Sequence, residues 1–209
     1  MTDIRSRYRA LFGSGESTER IVFFSDAVFA IAMTLLVLDI KVPEVDGGNL
    51  GRELLDLAPE YLAYALSFII IALNWMAHHR KFGVITGYTT NLVRLNFVLL
   101  LLVAFVPFPT ALLSEYGSEA SSVILYASVL GVIGLVQTSM WIYAHHAGLL
   151  DASVDEGVYR YVRGTGLVNP AVFALSILVA LFIGPVAGTY SWLLIIPASL
   201  LADRIFTRK

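Results

Sequence analysis

The sequence predicts an all-α integral membrane protein with six transmembrane helices and both termini in the cytoplasm. Three observations lead there. First, 57% of the 209 residues are hydrophobic and only 14% are charged, with a mean hydropathy of +0.76. Soluble domains carry roughly 25% charged residues, so this chain has too little polar surface to cover a water-soluble globule. Second, charge is missing from intervals long enough to cross a bilayer, which takes about 20 apolar residues. Third, Lys and Arg collect on alternate connections, the pattern that sets orientation in a membrane.

The spans follow in order from the charge-free intervals. The first, 20–40, is built on the run from Ile21 to Leu38, whose one charge is Asp26. The second, 60–79, lies between Glu60 and Arg80, and the third, 92–113, ends before Glu115. The fourth, 120–145, occupies the uncharged interval from Ala120 to Leu150, with His145 and His146 as polar overhang. The interval from Gly164 to Ala202 is about twice the length of one span. It is broken at Gly184, Pro185 and Gly188, and glycine with proline reads as a tight turn. Spans 165–184 and 187–206 result. The connections are too short for a further domain, so 1–209 reads as a single six-helix domain.

Orientation follows from the cations. With the N-terminus inside, the cytoplasmic segments hold Arg5, Arg7, Arg9, Arg20, Arg80, Lys81, Arg94, Arg160, Arg163, Arg204, Arg208 and Lys209, and only Lys41 and Arg52 fall outside. Asp39, Glu44, Asp46, Glu53, Asp56, Glu60, Glu115 and Glu119 share the outer side. A multi-pass protein of the cell (inner or plasma) membrane is expected. A cleaved leader is the rival reading of the first span, with Ala30-Ile31-Ala32 as a faint cleavage site. The apolar run continues to Leu38, however, and Asp26 lies within it.

Composition excludes several classes. The net charge of −2 offers no basic footprint for nucleic acid. With no cysteine there is no thiolate nucleophile, disulfide framework or cysteine-held metal centre. The pairs His78-His79 and His145-His146 point about 100° apart on a helix, so neither pair forms one bidentate site. No cofactor or resident metal is expected. No nucleophile and base combine into an enzyme site either.

Ionisable residues inside a span are costly and are functional candidates by default. The first span, RIVFFSDAVFAIAMTLLVLDIKVP, contains Arg20, Ser25, Asp26 and Thr34. Arg20 suits an interfacial position from which it snorkels. Asp26 lies about 9 Å further along the helix, beyond the reach of an i,i+4 pair, and should face other helices. Phe24, Ile31, Leu35 and Leu38 fall on one apolar stripe, and Asp26 stands about 140° from Ile31. Asn74, Trp75, His78 and His79 at the end of the second span, with Asn91, Arg94 and Asn96 in the third, lie at matching depth. A polar network joining the first three helices is therefore expected. Its role could be structural or in proton transfer.

Arg20, Phe24, Ser25 and Asp26 form the RxxxFSD signature of the transmembrane protein 175 family of potassium channels, and the chain resembles its prokaryotic single-repeat members. NWMAHHR at the end of the second span and LVAFVPFPTALL in the third extend the resemblance. The resemblance implies a homotetramer in the bilayer, its first helices lining a central pore for potassium ions. It implies a hydrophobic constriction at Ile31, with further layers at Leu35 and Leu38 and with Thr34 near the pore. It implies also that Arg20, Ser25 and Asp26 hold the first helix in place, with Trp75, His79 and Asn91 as partners; His78 or His79 could fill the histidine's place. The sequence agrees in lacking a TVGYG filter. A coupled ion or proton transporter using Asp26 and the helix-end histidines is the alternative, and a non-conducting membrane scaffold a third class.

Overall fold

The chain is described by a computed structural model covering Ile4 and residues 14–15, 17–43 and 49–207. Among the described residues, ten α-helices follow one another: α1 (Glu19–Leu35), α2 (Leu50–Asp56), α3 (Ala58–Phe82), α4 (Thr90–Phe105), α5 (Pro107–Glu115), α6 (Ala120–His146), α7 (Glu156–Gly166), α8 (Val168–Phe182), α9 (Pro185–Tyr190) and α10 (Ile195–Thr207). They make six spans long and apolar enough to cross a membrane: Glu19–Asp39, Ala58–Phe82, Thr90–Glu115, Ala120–His146, Glu156–Phe182 and Pro185–Thr207.

Two features depart from an uninterrupted reading of the apolar runs. The third span breaks between α4 and α5, where Pro107 opens α5. Proline has no N–H to donate and its ring crowds the preceding turn. The charged segment between Leu150 and Gly164, which the charge-free intervals leave outside the spans, nevertheless contains most of α7. There Asp155 accepts a hydrogen bond from Val158 N at 2.8 Å, a side-chain cap that starts the helix. Tyr159 is buried while Glu156, Arg160 and Arg163 remain exposed, so this charged segment folds as an amphipathic helix.

The connections define two ends. Ser14–Gly15 pairs antiparallel with Tyr88–Thr89, and Thr86 N donates to Leu149 O at 2.9 Å. Tyr161 OH donates to Asp203 Oδ1, joining α7 to α10. The beginning of α1, the α3–α4 and α6–α7 connections and the end of α10 therefore share one end. Arg20, Arg80, Lys81, Arg94, Arg160, Arg163 and Arg204 lie there, whereas Asp39, Asp56, Glu60, Glu115 and Glu119 lie towards the other. Arg5, Arg7, Arg9, Glu44, Asp46, Arg208 and Lys209 fall outside the described residues.

Helix α6 is the centre of the bundle: 56% of its apolar window is buried, against 17–33% for the other spans. Lipid is as apolar as leucine, so helices associate through close packing and small residues rather than by escaping water. Gly134 meets that need, since a Cβ there would lie 2.7 Å from Pro170 Cγ of α8. At the opposite end, Gly184 takes φ +137° just before α9, a backbone conformation that favours glycine. This forms the tight turn expected between the last two spans.

Candidate functional site

Helix α1 has two unlike faces. Ser25, Phe29, Ala32 and Leu36 are buried at spacings of four, three and four, one stripe of a helix. They pack towards α3, α4 and α5. The opposite stripe is uncovered in the single chain: Ile31 is 57% exposed, Leu35 42% and Leu38 73%. Thr34 is exposed beside them, its hydroxyl donating back to Ile31 O at 2.9 Å. The polar atom is thereby satisfied within the helix, leaving a largely apolar face.

The buried stripe is fixed by hydrogen bonds that run in one direction. Asn96 Nδ2 of α4 donates to Ser25 Oγ at 2.9 Å, and Ser25 Oγ donates onward to Ile21 O at 2.7 Å. Asn96 Oδ1 lies 2.9 Å from His78 Nε2 of α3. An amide oxygen only accepts, so His78 Nε2 carries the hydrogen. All three side chains in this chain are at most 2% exposed. The His78 ring sits between Phe29 and Phe82, with centroids 5.6 and 4.4 Å away. A second link lies one residue along α1, where Trp75 Nε1 donates to Asp26 Oδ1 at 2.7 Å.

The structure thus brings together Ser25, Asp26, Trp75 and His78, with Asn96 as the amide between α1 and α3. His79 stacks on Trp75 at 5.4 Å. Asn91 is exposed and accepts from Arg94 at 3.3 Å. Five residues separate it from Asn96, about 140° of helical phase, which turns Asn96 inward. Arg20 is exposed in the first turn of α1, and Phe24 meets Phe97 edge-on at 5.8 Å.

A second buried cluster joins residues that lie far apart in the sequence. Tyr126 OH and Ser67 Oγ are 2.9 Å apart, and Thr110 Oγ1 donates to Ser67 Oγ at 2.9 Å. It joins α3, α5 and α6. The signal was available: hydroxyl groups within apolar spans need partners just as charges do.

Among the described residues no three His, Cys, Asp or Glu side chains gather as a metal site. The arrangement suits mechanical work: a helix bonded along one side presents an apolar side to whatever lies beyond.

A family model described as "Endosomal/lysosomal potassium channel TMEM175" matches residues 20–107. A potassium channel of Chamaesiphon minutus is 44% identical over 173 residues, spanning 76% of this chain and 84% of that protein. The endosomal/lysosomal proton channel TMEM175 of Gallus gallus is 31% identical over 217 residues, spanning 92% of this chain but 42% of that longer protein. The fold is similar to the crystal structure of a lysosomal potassium-selective channel TMEM175 homolog from Chamaesiphon minutus. The TM-score is 0.76 at 35% identity, covering 89% of this chain and 98% of that one.

Proposed function

The chain belongs to the TMEM175 family of ion channels, whose members are not enzymes, and on that premise we propose that it is a potassium-preferring cation channel acting as a homotetramer. Residues 1–209 serve as one six-helix channel domain. Four α1 helices surround the axis, Ile31 forms the hydrophobic constriction, and Leu35 and Leu38 form further layers with Thr34 beside them. The observation that carries this reading is the two-sided α1: bonded along Ser25 and Asp26, exposed and apolar along Ile31, Leu35 and Leu38. The segregation of cations to one end supports both termini in the cytoplasm of a cell-membrane protein.

An apolar ring blocks ions by dewetting when narrow and passes them when the helices part. It offers no carbonyl cage, so preference arises from the cost of removing water. Sodium holds its water more tightly than potassium, which favours potassium modestly. The carboxylates at the other end raise the local cation concentration, an effect that salt weakens. Ser25, Asp26, Trp75, His78 and Asn96 hold α1 in register, with His79 stacked behind Trp75. Arg20 and Asn91 sit at the interface near them.

Proton-coupled transport through Asp26 and the histidines is the second reading, favoured by the chicken relative, a proton channel. Liposomes loaded with potassium separate the two. The channel reading expects potassium efflux without a proton gradient, enlarged by Ile31→Asn. Flux that requires a proton gradient and vanishes in Asp26→Asn would establish the transporter instead. No flux from a folded protein would leave a scaffold.

A further inference from the structure

A cavity of about 430 Å³ lies between α3, α6, α7 and α8, at the end of the bundle that carries Arg80 and Arg163. None of Ser25, Asp26, Trp75, His78 or Asn96 lines it, so it is distinct from the bonded face of α1. Arg80 and Lys81 line it, and no Asp or Glu does. Leu73, Ala77 and Val162 supply apolar wall. Leu73 precedes Lys81 by eight residues, about 12 Å deeper along the helix. The cavity is therefore amphipathic along the direction of the bundle, cationic near its end and apolar towards the middle.

Lys81 is the informative group. Its side chain is half-buried, and its ammonium makes two long contacts with one residue: 3.4 Å to Gln137 O and 3.5 Å to Gln137 Oε1. Gln137 is itself oriented by Asn74, to whose backbone and side-chain oxygens its Nε2 donates at 3.1 Å. Among the described residues Lys81 has no carboxylate within ion-pair distance, 4.0 Å. An ammonium has three hydrogens to donate, and a cation withdrawn from water without a counter-charge is costly. An anion in the cavity would supply the counter-charge that no described carboxylate gives Lys81.

We propose that this cavity binds an anionic phospholipid from the surrounding bilayer, with its phosphate on Lys81 and Arg80 and acyl chain along Leu73, Ala77 and Val162. The apolar lining argues for a lipid over a free anion. So does the exposure of Leu73, Val158 and Asn169 on its flank, where a chain can enter sideways. The volume, in the range of pockets that hold small organic ligands, takes a headgroup phosphate and part of one acyl chain, the rest of the lipid lying outside the exposed flank. Basic pockets between transmembrane helices suit anionic headgroups. The site neighbours α3, which also carries Trp75 and His78, so an occupant braces the helix to which α1 is bonded.

The test reads binding, not current, so its result is independent of the conduction reading. Delipidated full-length protein in detergent is titrated with dioleoyl phosphatidylglycerol or dioleoyl phosphatidylcholine, and retained lipid is counted by native mass spectrometry. Wild type is expected to prefer phosphatidylglycerol. Lys81→Gln should weaken phosphatidylglycerol about fivefold while leaving phosphatidylcholine unchanged. Lys81→Arg keeps the charge and should keep the preference. Equal retention of the two lipids by wild type would overturn the proposal, as would an unchanged preference in Lys81→Gln or an equal loss in both variants. Inorganic phosphate that displaces phosphatidylglycerol at equal concentration would mark a soluble-anion site and overturn the lipid assignment.

Discussion

The Trp75 indole donates to Asp26 Oδ1 at 2.7 Å across the α3–α1 contact. An intramembrane carboxylate is thus answered by a neutral donor on another helix. The bond requires an acceptor at position 26 but not a charge, which makes the site experimentally separable. Asp26→Asn keeps an Oδ1 acceptor and should melt close to wild type. Asp26→Leu and Trp75→Phe remove the bond and should each cost about 1–3 kcal/mol, the cost of leaving a withdrawn donor or acceptor unpaired. Thermal unfolding of the detergent-solubilised protein reads this, and equal destabilisation by Asn and Leu would show that charge is the essential property.

Asn96 should couple energetically to His78. His78→Phe suits a site flanked by Phe29 and Phe82 but leaves Asn96 Oδ1 without its donor, costing about 1–3 kcal/mol. The double variant with Asn96→Leu should fall short of the sum of the two single losses by roughly 0.5 kcal/mol or more. Strict additivity in the double-mutant cycle would exclude that coupling.

The two faces of α1 should respond oppositely. Phe29 is fully buried, so Phe29→Ala should lower stability by about 3 kcal/mol, the loss typical of emptying an aromatic core site. Ile31→Asn should leave the melting temperature almost unchanged while raising ion flux. A fall in stability from the Ile31 change with no effect on flux would move that residue from pore to packing.

Gly134 should tolerate nothing larger. A Cβ would come 2.7 Å from Pro170 Cγ and 2.8 Å from its Cδ, and a ring cannot swing aside as a flexible chain end does. Gly134→Ala should cost about 1–3 kcal/mol through forced separation of α6 from α8. A variant as stable as wild type would mean that the two helices slide freely.

The number of spans was readable because charge is excluded from lipid, although the fifth, Glu156–Phe182, begins within the charged segment ahead of the expected residue 165. The break at Pro107 was carried by a single residue within an apolar run, and the continuity of that run concealed it. Helix α7 was hidden for the converse reason: its charges marked it as a connection, though an amphipathic helix carries charge on one side. Of the polar residues, Asp26 stood out as costly within an apolar span; Trp75 followed from the family resemblance, which left His78 and His79 undecided. The choice between Asn91 and Asn96 depended on the rotational phase of α4, which counting along the chain does not determine. Ser67, Thr110 and Tyr126 escaped notice because hydroxyl groups are common in membrane helices, and only three-dimensional packing reveals that these three meet.

The bonds from His78 through Asn96 to Ser25 act on α1 as a key acts in a keyway. His78 Nε2, Asn96 Nδ2 and Ser25 Oγ each donate one hydrogen along the series, and its outer ends are anchored on different helices. Spinning α1 about its own axis would break the series at Ser25, and a turn equal to one residue would carry Ile31 through about 100°. Leaning α1 about the Ser25 end leaves that series intact but must slide the buried Phe29, Ala32 and Leu36 against their neighbours. Its far end, a 3₁₀ turn over Leu36–Asp39, begins eleven residues beyond that anchor, so a small inclination at Ser25 grows into a larger sideways excursion there. A lean disturbs packing alone, whereas a swivel breaks the bonds as well.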